Sequence, residues 1–230
     1  MTQRALLLLD FDGVIINSKP LMEFAFAASC SALEVEPAPA IERFLALMGM
    51  PLPDIAKRLG LPIGFVAHYQ ALCRERMDMV QLYDGARVLV EGGRAFGHLA
   101  LITGKDRYRT TLLLDRFELR DAFDRIVCGD DPYPGKPNPA GVDVLRHQLA
   151  ALASETYMVG DSAIDIECAR RARVLPIGAA WGFSPIAELR AAGADLIFSS
   201  PFALADWLAE NRPSTAAPLT SLLHRMASDG

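Results

Sequence analysis

The order in which apolar runs and helical patterns follow one another constrains this chain more than any other feature. Ala5–Leu9, Leu99–Ile102, Arg125–Cys128, Thr156–Val159, Val174–Ile177 and Leu196–Phe198 are short apolar runs, each beside Gly, Pro, Asp or Ser. Runs of that length and setting read as buried strands. Between them lie helical patterns at Ala86–Phe96, Tyr108–Phe117, Ala140–Leu149, Ala163–Arg171, Pro185–Ala192 and Phe202–Glu210. Strands alternating with helices predict an α/β fold: a doubly wound, parallel-sheet (Rossmann-like) core with helices on both faces. Such sheets bind ligands at the carboxyl ends of their strands.

One stretch breaks the alternation. Between Asn17 and Leu82 no good strand is found, and Leu21–Leu33, Ala40–Leu47, Leu52–Leu59 and Phe65–Met79 read as helices with Pro- and Gly-rich joints. That is too long for a simple loop. It predicts an all-helical insertion, residues 17–82, placed over the carboxyl edge of a core made of residues 1–16 and 83–212. Residues 213–230 form a tail. Its Leu219, Leu222, Leu223 and Met226 fall at helical spacing, but the tail reads as frayed rather than docked.

Composition enters as a set of exclusions. With 51% hydrophobic and 22% charged residues, the 230-residue chain is neither disordered nor low-complexity. A net charge of −5 and no Lys/Arg run argue against a nucleic-acid partner. The opening apolar run ends at Asp10, far too short for a membrane span or a signal peptide. Cys30, Cys73, Cys128 and Cys168 form no CxxC pair, which reads as four buried thiols in a reducing cytoplasm.

Four local patterns fall at predicted strand ends. Asp10-Phe11-Asp12-Gly13 follows the first strand. Residues two apart on an extended chain point the same way, so two carboxylates share one side, and a metal, a lysine or a shared proton must offset their repulsion. Thr103-Gly104 offers a hydroxyl and an amide to one oxygen of an anion. Lys136 is held between Gly135 and Pro137, with Asn138 and Pro139 suited to open the next helix. Gly160-Asp161-Ser162-Ala163-Ile164-Asp165 adds further carboxylates. Taken singly, each has an ordinary reading: a polar turn, a helix cap, an exposed lysine, a capping box. Taken together, they gather carboxylates for a hard cation such as magnesium, an oxyanion cradle and one lysine. His68, His98, His147 and His224 all lie outside these patterns, which argues against zinc or serine–histidine hydrolysis. No dinucleotide or P-loop glycine pattern occurs.

In these four motifs the chain resembles the haloacid-dehalogenase-superfamily phosphatases, in the subgroup with a helical cap inserted after the first motif, and is most similar to phosphoglycolate-phosphatase-like members. The resemblance spans residues 5–210. It departs at Ser162, where threonine is frequent, and at Arg173, where glycine often precedes the next strand.

The resemblance implies a magnesium-dependent phosphoric monoester hydrolase acting on a small-molecule phosphate ester through an aspartyl-phosphate. Asp10 would be the nucleophile. Asp12 would act as acid and then base, and would ligate magnesium through its backbone carbonyl. Asp10 and Asp161 would be the carboxylate ligands. Thr103, Gly104 and Lys136 would hold the phosphoryl oxygens, and Asp165 would support Lys136 or a metal-bound water. The Met48-Gly49-Met50-Pro51 loop of the insertion is the candidate for substrate contact through Gly49 and Met50, with a plain helix–helix joint as the other reading. A sugar-phosphate mutase of the same superfamily is the alternative function, and a phospho-accepting receiver module a remote one. The expected assembly is a monomer or homodimer.

Overall fold

The computed structural model describes residues 4–36 and 39–212. A six-stranded sheet, every neighbouring pair parallel, lies at its centre in the order β5-β4-β1-β6-β7-β8. The strands are β1 (Leu6–Leu9), β4 (His98–Ile102), β5 (Arg125–Val127), β6 (Thr156–Gly160), β7 (Leu175–Ala179) and β8 (Leu196–Phe198). Strand β1 is four consecutive leucines, all with no exposure. Successive side chains of a strand point to opposite faces. Leu7 and Leu9 therefore join one apolar layer with helices α5 (Ala86–Phe96) and α10 (Pro201–Glu210). Leu6 and Leu8 join the other with α7 (Ala140–Gln148) and α8 (Ala163–Arg171). An uninterrupted leucine run is thus what a strand covered on both faces needs.

The remaining core helices are α6 (Arg107–Arg116), after β4, and α9 (Ile186–Ala192), which packs beside α8. Four helices fill the predicted insertion: α1 (Lys19–Ala32), α2 (Ile41–Leu45), α3 (Leu52–Leu59) and α4 (Phe65–Glu75). Phe26, Phe44, Phe65 and Tyr69 form an aromatic cluster between them, with ring centroids 4.6–6.4 Å apart. Such a cluster packs the inserted helices together and is continuous with the apolar layer that holds Leu7 and Leu9.

The structure corrects the reading of the insertion in two places. Its two ends form a short antiparallel ribbon, β2 (Ile16–Asn17) with β3 (Gln81–Leu82). Two-residue strands carry no periodicity, so the sequence could not show them. The helix expected to run to Met79 ends at Glu75, and Met77–Met79 is a separate 3-10 turn. The expectation for residues 213–230 lies outside the described residues. Among the described residues no helix is long and apolar enough to cross a membrane.

Candidate active site

Each motif leaves the sheet at the carboxyl end of a strand. Strand β1 pairs with β4 on one side and β6 on the other, so the motifs following these strands surround a single point. This is the crevice where chain direction across the sheet reverses. The Asp10 amide extends the β1–β6 pairing by donating to Val159 O at 2.9 Å, which fixes its side chain at the sheet edge. Gly13 then turns the chain away with φ +81°. A Cβ there would lie 2.0 Å from Asp161 Oδ2, so the first and fourth motifs touch only because residue 13 has no side chain.

Lys136 is 4% exposed, which rules out the surface-lysine reading. Its ammonium donates to Asp10 Oδ1 at 2.7 Å, to Asp165 Oδ1 at 2.6 Å and to Ile102 O at 3.2 Å. Those three acceptors match its three donors. Ser162 caps α8 through its hydroxyl and also donates to Asp165 Oδ2 at 2.5 Å. Asp165 is thereby aimed at Lys136. Asp161 Oδ2 accepts the Phe183 amide at 2.7 Å.

Asp10, Asp161 and Asp165 bring one carboxylate oxygen each within 4.8 Å of one another, all buried. Burial pushes the Asp10 pKa up to about 7 even against Lys136, and the neighbouring Asp165 adds to the rise. Burial, then Asp165 and Asp10, hold Asp161 well above the usual carboxylate range. Lys136 stays charged: burial opposes it, but Asp10 and Asp165 outweigh burial and raise its pKa. With all three carboxylates ionised, one ammonium would leave an excess of negative charge, which is why burial favours their protonated forms until a cation enters. An all-oxygen site of that kind fits a hard divalent cation such as magnesium.

Thr103 does not cap the following helix. Asp106 does so, accepting the Arg109 amide at 2.9 Å. The Thr103 hydroxyl accepts the Lys105 amide at 3.1 Å, and the Gly104 amide takes no partner among the described residues.

Asp12 is more heavily engaged than its sequence context showed. Its Oδ1 accepts from the Ser18 hydroxyl and lies 3.1 Å from the Lys105 ammonium. Sequence reasoning passed over Lys105, Ser18, Arg109 and Tyr69. The need for a countercharge beside two carboxylates was a signal for Lys105, two residues past Thr103. Ser18 and Tyr69 reach the site through the insertion's packing, which no local pattern shows.

A cavity of about 30 Å³ opens onto Asp10, Asp12, Thr103, Gly104 and Lys105, closed on the far side by Met48, Gly49 and Met50. The Gly49–Pro51 loop fits tightly over the motifs. A Cβ on Gly104 would lie 2.4 Å from Met50 O, and one on Gly135 2.3 Å from Pro51. Both loop residues named from sequence thus sit at the cavity.

Comparison with known proteins gives a consistent result. The family model described as haloacid dehalogenase-like hydrolase matches residues 7–179. A phosphoglycolate phosphatase of Cereibacter sphaeroides is 31% identical over 181 residues, covering 71% of this chain and 79% of that protein. One from Pseudomonas syringae pv. syringae is 28% identical over 205 residues, covering 80% and 73%. Among solved structures, a hydrolase from Pseudomonas syringae superposes with a TM-score of 0.81 at 23% identity, covering 92% of this chain and 100% of that one.

Proposed function

The chain belongs to the haloacid dehalogenase-like hydrolase family, and from that premise we propose that it is a magnesium-dependent phosphatase of a small phosphorylated metabolite, working through an aspartyl-phosphate on Asp10. The relatives are named as phosphatases of a small phosphate ester, which supports the reaction class. The observation that carries the reading is the grip of Lys136 on Asp10 and Asp165 at the buried edge of the sheet.

The residues divide the work. Lys136 holds Asp10 Oδ1 and fixes the carboxylate's rotamer, so that an oxygen faces the cavity. Asp10 attacks phosphorus, its O–P bond forming as the ester O–P bond breaks. Asp12 gives its proton to the departing alkoxide and later takes one from the water that hydrolyses the acyl phosphate. Ser18 and Lys105 orient it for both transfers. The Thr103 hydroxyl and the Gly104 amide face the charge that builds on the equatorial oxygens, and Lys136 adds its positive charge from behind Asp10. Asp10, Asp161 and the Asp12 carbonyl would hold magnesium, which when bound neutralises the repulsion between Asp10 and the phosphate. Asp165 orients Lys136.

A space of about 30 Å³ holds two or three waters, at roughly 10–15 Å³ each, and not a phosphate ester. The helical insertion, residues 17–82, is therefore a cap that opens for substrate and closes to exclude water, with the β2–β3 ribbon as its hinge. Release of inorganic phosphate from an aryl phosphate and from a panel of phosphorylated metabolites, with magnesium and with excess chelator, tests the reading. Phosphate release that stops in chelator supports it. Phosphate moved within a sugar phosphate without release would make the protein a mutase, and stable labelling without turnover a receiver.

A further inference from the structure

The loop after β7 makes contacts that the reaction scheme does not use. Residues 180–185 join β7 to α9 and pass beside the first motif. The Trp181 indole donates its Nε1–H to Val14 O at 3.0 Å. Val14 has no exposure and stands in the turn between Asp12 and β2. Among the described residues no other donor to that carbonyl is found. A buried carbonyl without a donor carries its full desolvation cost, so the indole fixes where this turn sits. Two residues on, the Phe183 amide donates to Asp161 Oδ2 at 2.7 Å. Gly182 lies between them with no space to spare: a Cβ there would be 2.3 Å from Asp161 Cβ and 2.6 Å from Gly13 O. Three consecutive residues thus grip both the turn that leads into the cap and a carboxylate of the acidic cluster.

That turn is the root of the hinge. The Gly13 amide donates to Ile16 O at 2.9 Å, and Ile16 opens β2, which pairs with β3. Tyr83, directly after β3, donates its amide to Ile15 O at 3.0 Å. Burial, with the charges of Asp161 and Asp12, raises the pKa of the Tyr83 phenol, so the strand returning from the cap meets the same point. A rotation of the cap about β2–β3 therefore pulls on the Val14 turn, and the indole passes the pull to Asp161 through a loop packed too closely to absorb it. Both hydrogen bonds of the loop are formed in the closed arrangement, where the cavity holds only a few waters.

Resting on the magnesium site of the phosphatase reading, we propose that Trp181 is a positioning residue that couples the cap hinge to Asp161. The divalent cation then binds more tightly when the cap is closed, and its binding stiffens the hinge. These are one coupling free energy read from its two ends.

The test uses Trp181→Phe, which keeps a ring and removes the N–H, and two readouts taken without substrate: thermal shift against magnesium concentration, and hydrogen exchange of the hinge amides, residues 14–17 and 81–83. In the parent, magnesium should raise the melting temperature and slow exchange of those amides about fivefold or more. In Trp181→Phe the magnesium affinity should fall roughly 5–50-fold, and saturating magnesium should no longer slow the hinge amides. A purely structural indole would lower the metal-free melting temperature but leave magnesium affinity and hinge protection as in the parent, and that result overturns the proposal. The chain has two tryptophans, and Trp207 sits apart with Phe96, Tyr157 and Phe198, so Trp207→Phe leaves Trp181 as the sole indole. Its emission should change over the same magnesium concentrations as the thermal shift. Emission blind to magnesium overturns the proposal even if Trp181→Phe fails to fold. A magnesium thermal shift in the parent without hinge protection overturns this inference alone. No magnesium thermal shift in the parent overturns the metal reading and this inference with it.

Discussion

The carboxyl edge of the sheet and the helical insertion meet at one cavity but are built from different materials. The sheet edge contributes carboxylates, a hydroxyl, amides and lysines; Asp10, Asp161, Asp165 and Lys136 are buried and tied by hydrogen bonds of 2.5–3.3 Å. The insertion contributes methionines, aliphatic residues and a tyrosine. Polar side chains held this way on rigid strand ends suit chemistry that tolerates little misplacement. Apolar side chains on the inserted helices suit selection of whatever leaves, because none of them holds the nucleophile. Arg109 is the instructive case: it belongs to a core helix, yet faces the insertion's Tyr69 and Cys73.

If that division holds, changes on the two sides should fail differently, and the largest failure belongs to the sheet edge. Asp10→Asn keeps shape but removes the nucleophile and a carboxylate ligand. Turnover of every ester should drop at least about 1,000-fold, roughly 4 kcal/mol of barrier, with thermal unfolding of the metal-free protein little changed. Activity within tenfold of the parent would break the comparison at its strongest point.

The next effect concerns protons. Burial raises the Asp10 pKa from 3.8 to about 7, so between those values the metal-free fold holds a proton that the unfolded chain does not. The stabilisation this gives is complete below about pH 4 and is lost as pH rises through about 7. Magnesium must displace the same proton. Its affinity, measured as a thermal shift against metal concentration, should fall at least about tenfold for each pH unit below 7, because Asp161 is also held protonated. A pH-independent shift would show that the cation does not touch Asp10.

On the other side, Met50→Arg should alter ranking more than rate. It should shift kcat/KM ratios among substrates by about 1–3 kcal/mol, favouring those with an extra anionic group. Equal scaling of all substrates would make the loop a hinge and break the division on the side of the insertion.

The smallest effect lies away from both. Arg173 holds φ +57°, the left-handed region. Glycine is common there in the family the sequence resembles, and this chain carries the strain with an arginine. Arg173→Gly should stabilise the fold by up to about 1 kcal/mol in chemical denaturation with no kinetic change. A destabilised variant would mean that the Arg173 side chain supports the fold.

What the sequence revealed follows the same division. The six main strands were legible because each is a short apolar run with a polar stop, and β1 is so apolar that no other element fits it. The four motifs were legible because chemistry at strand ends is written in nearby residues: Asp10 with Asp12, Thr103 with Gly104, Lys136 between Gly135 and Pro137, Asp161 with Asp165. The β2–β3 ribbon was not, since two residues make no period. Nor were the partners of Asp12 and Arg109. Ser18, Lys105, Tyr69 and Asp106 reach these groups through the fold of the insertion and the first turn of α6, and the pairings exist only once those elements are packed.

The central claim is that phosphorus passes through Asp10. An acyl phosphate is reduced by borohydride to the alcohol, which turns an aspartyl-phosphate into homoserine, while a free carboxylate is untouched. The protein should be quenched during turnover with magnesium and an aryl phosphate, reduced, digested and mapped by mass. The account predicts homoserine at residue 10, formed only when substrate is present and absent in Asp10→Asn. Steady turnover with residue 10 still aspartate, or homoserine at Asp12 or Asp161 instead, would contradict it.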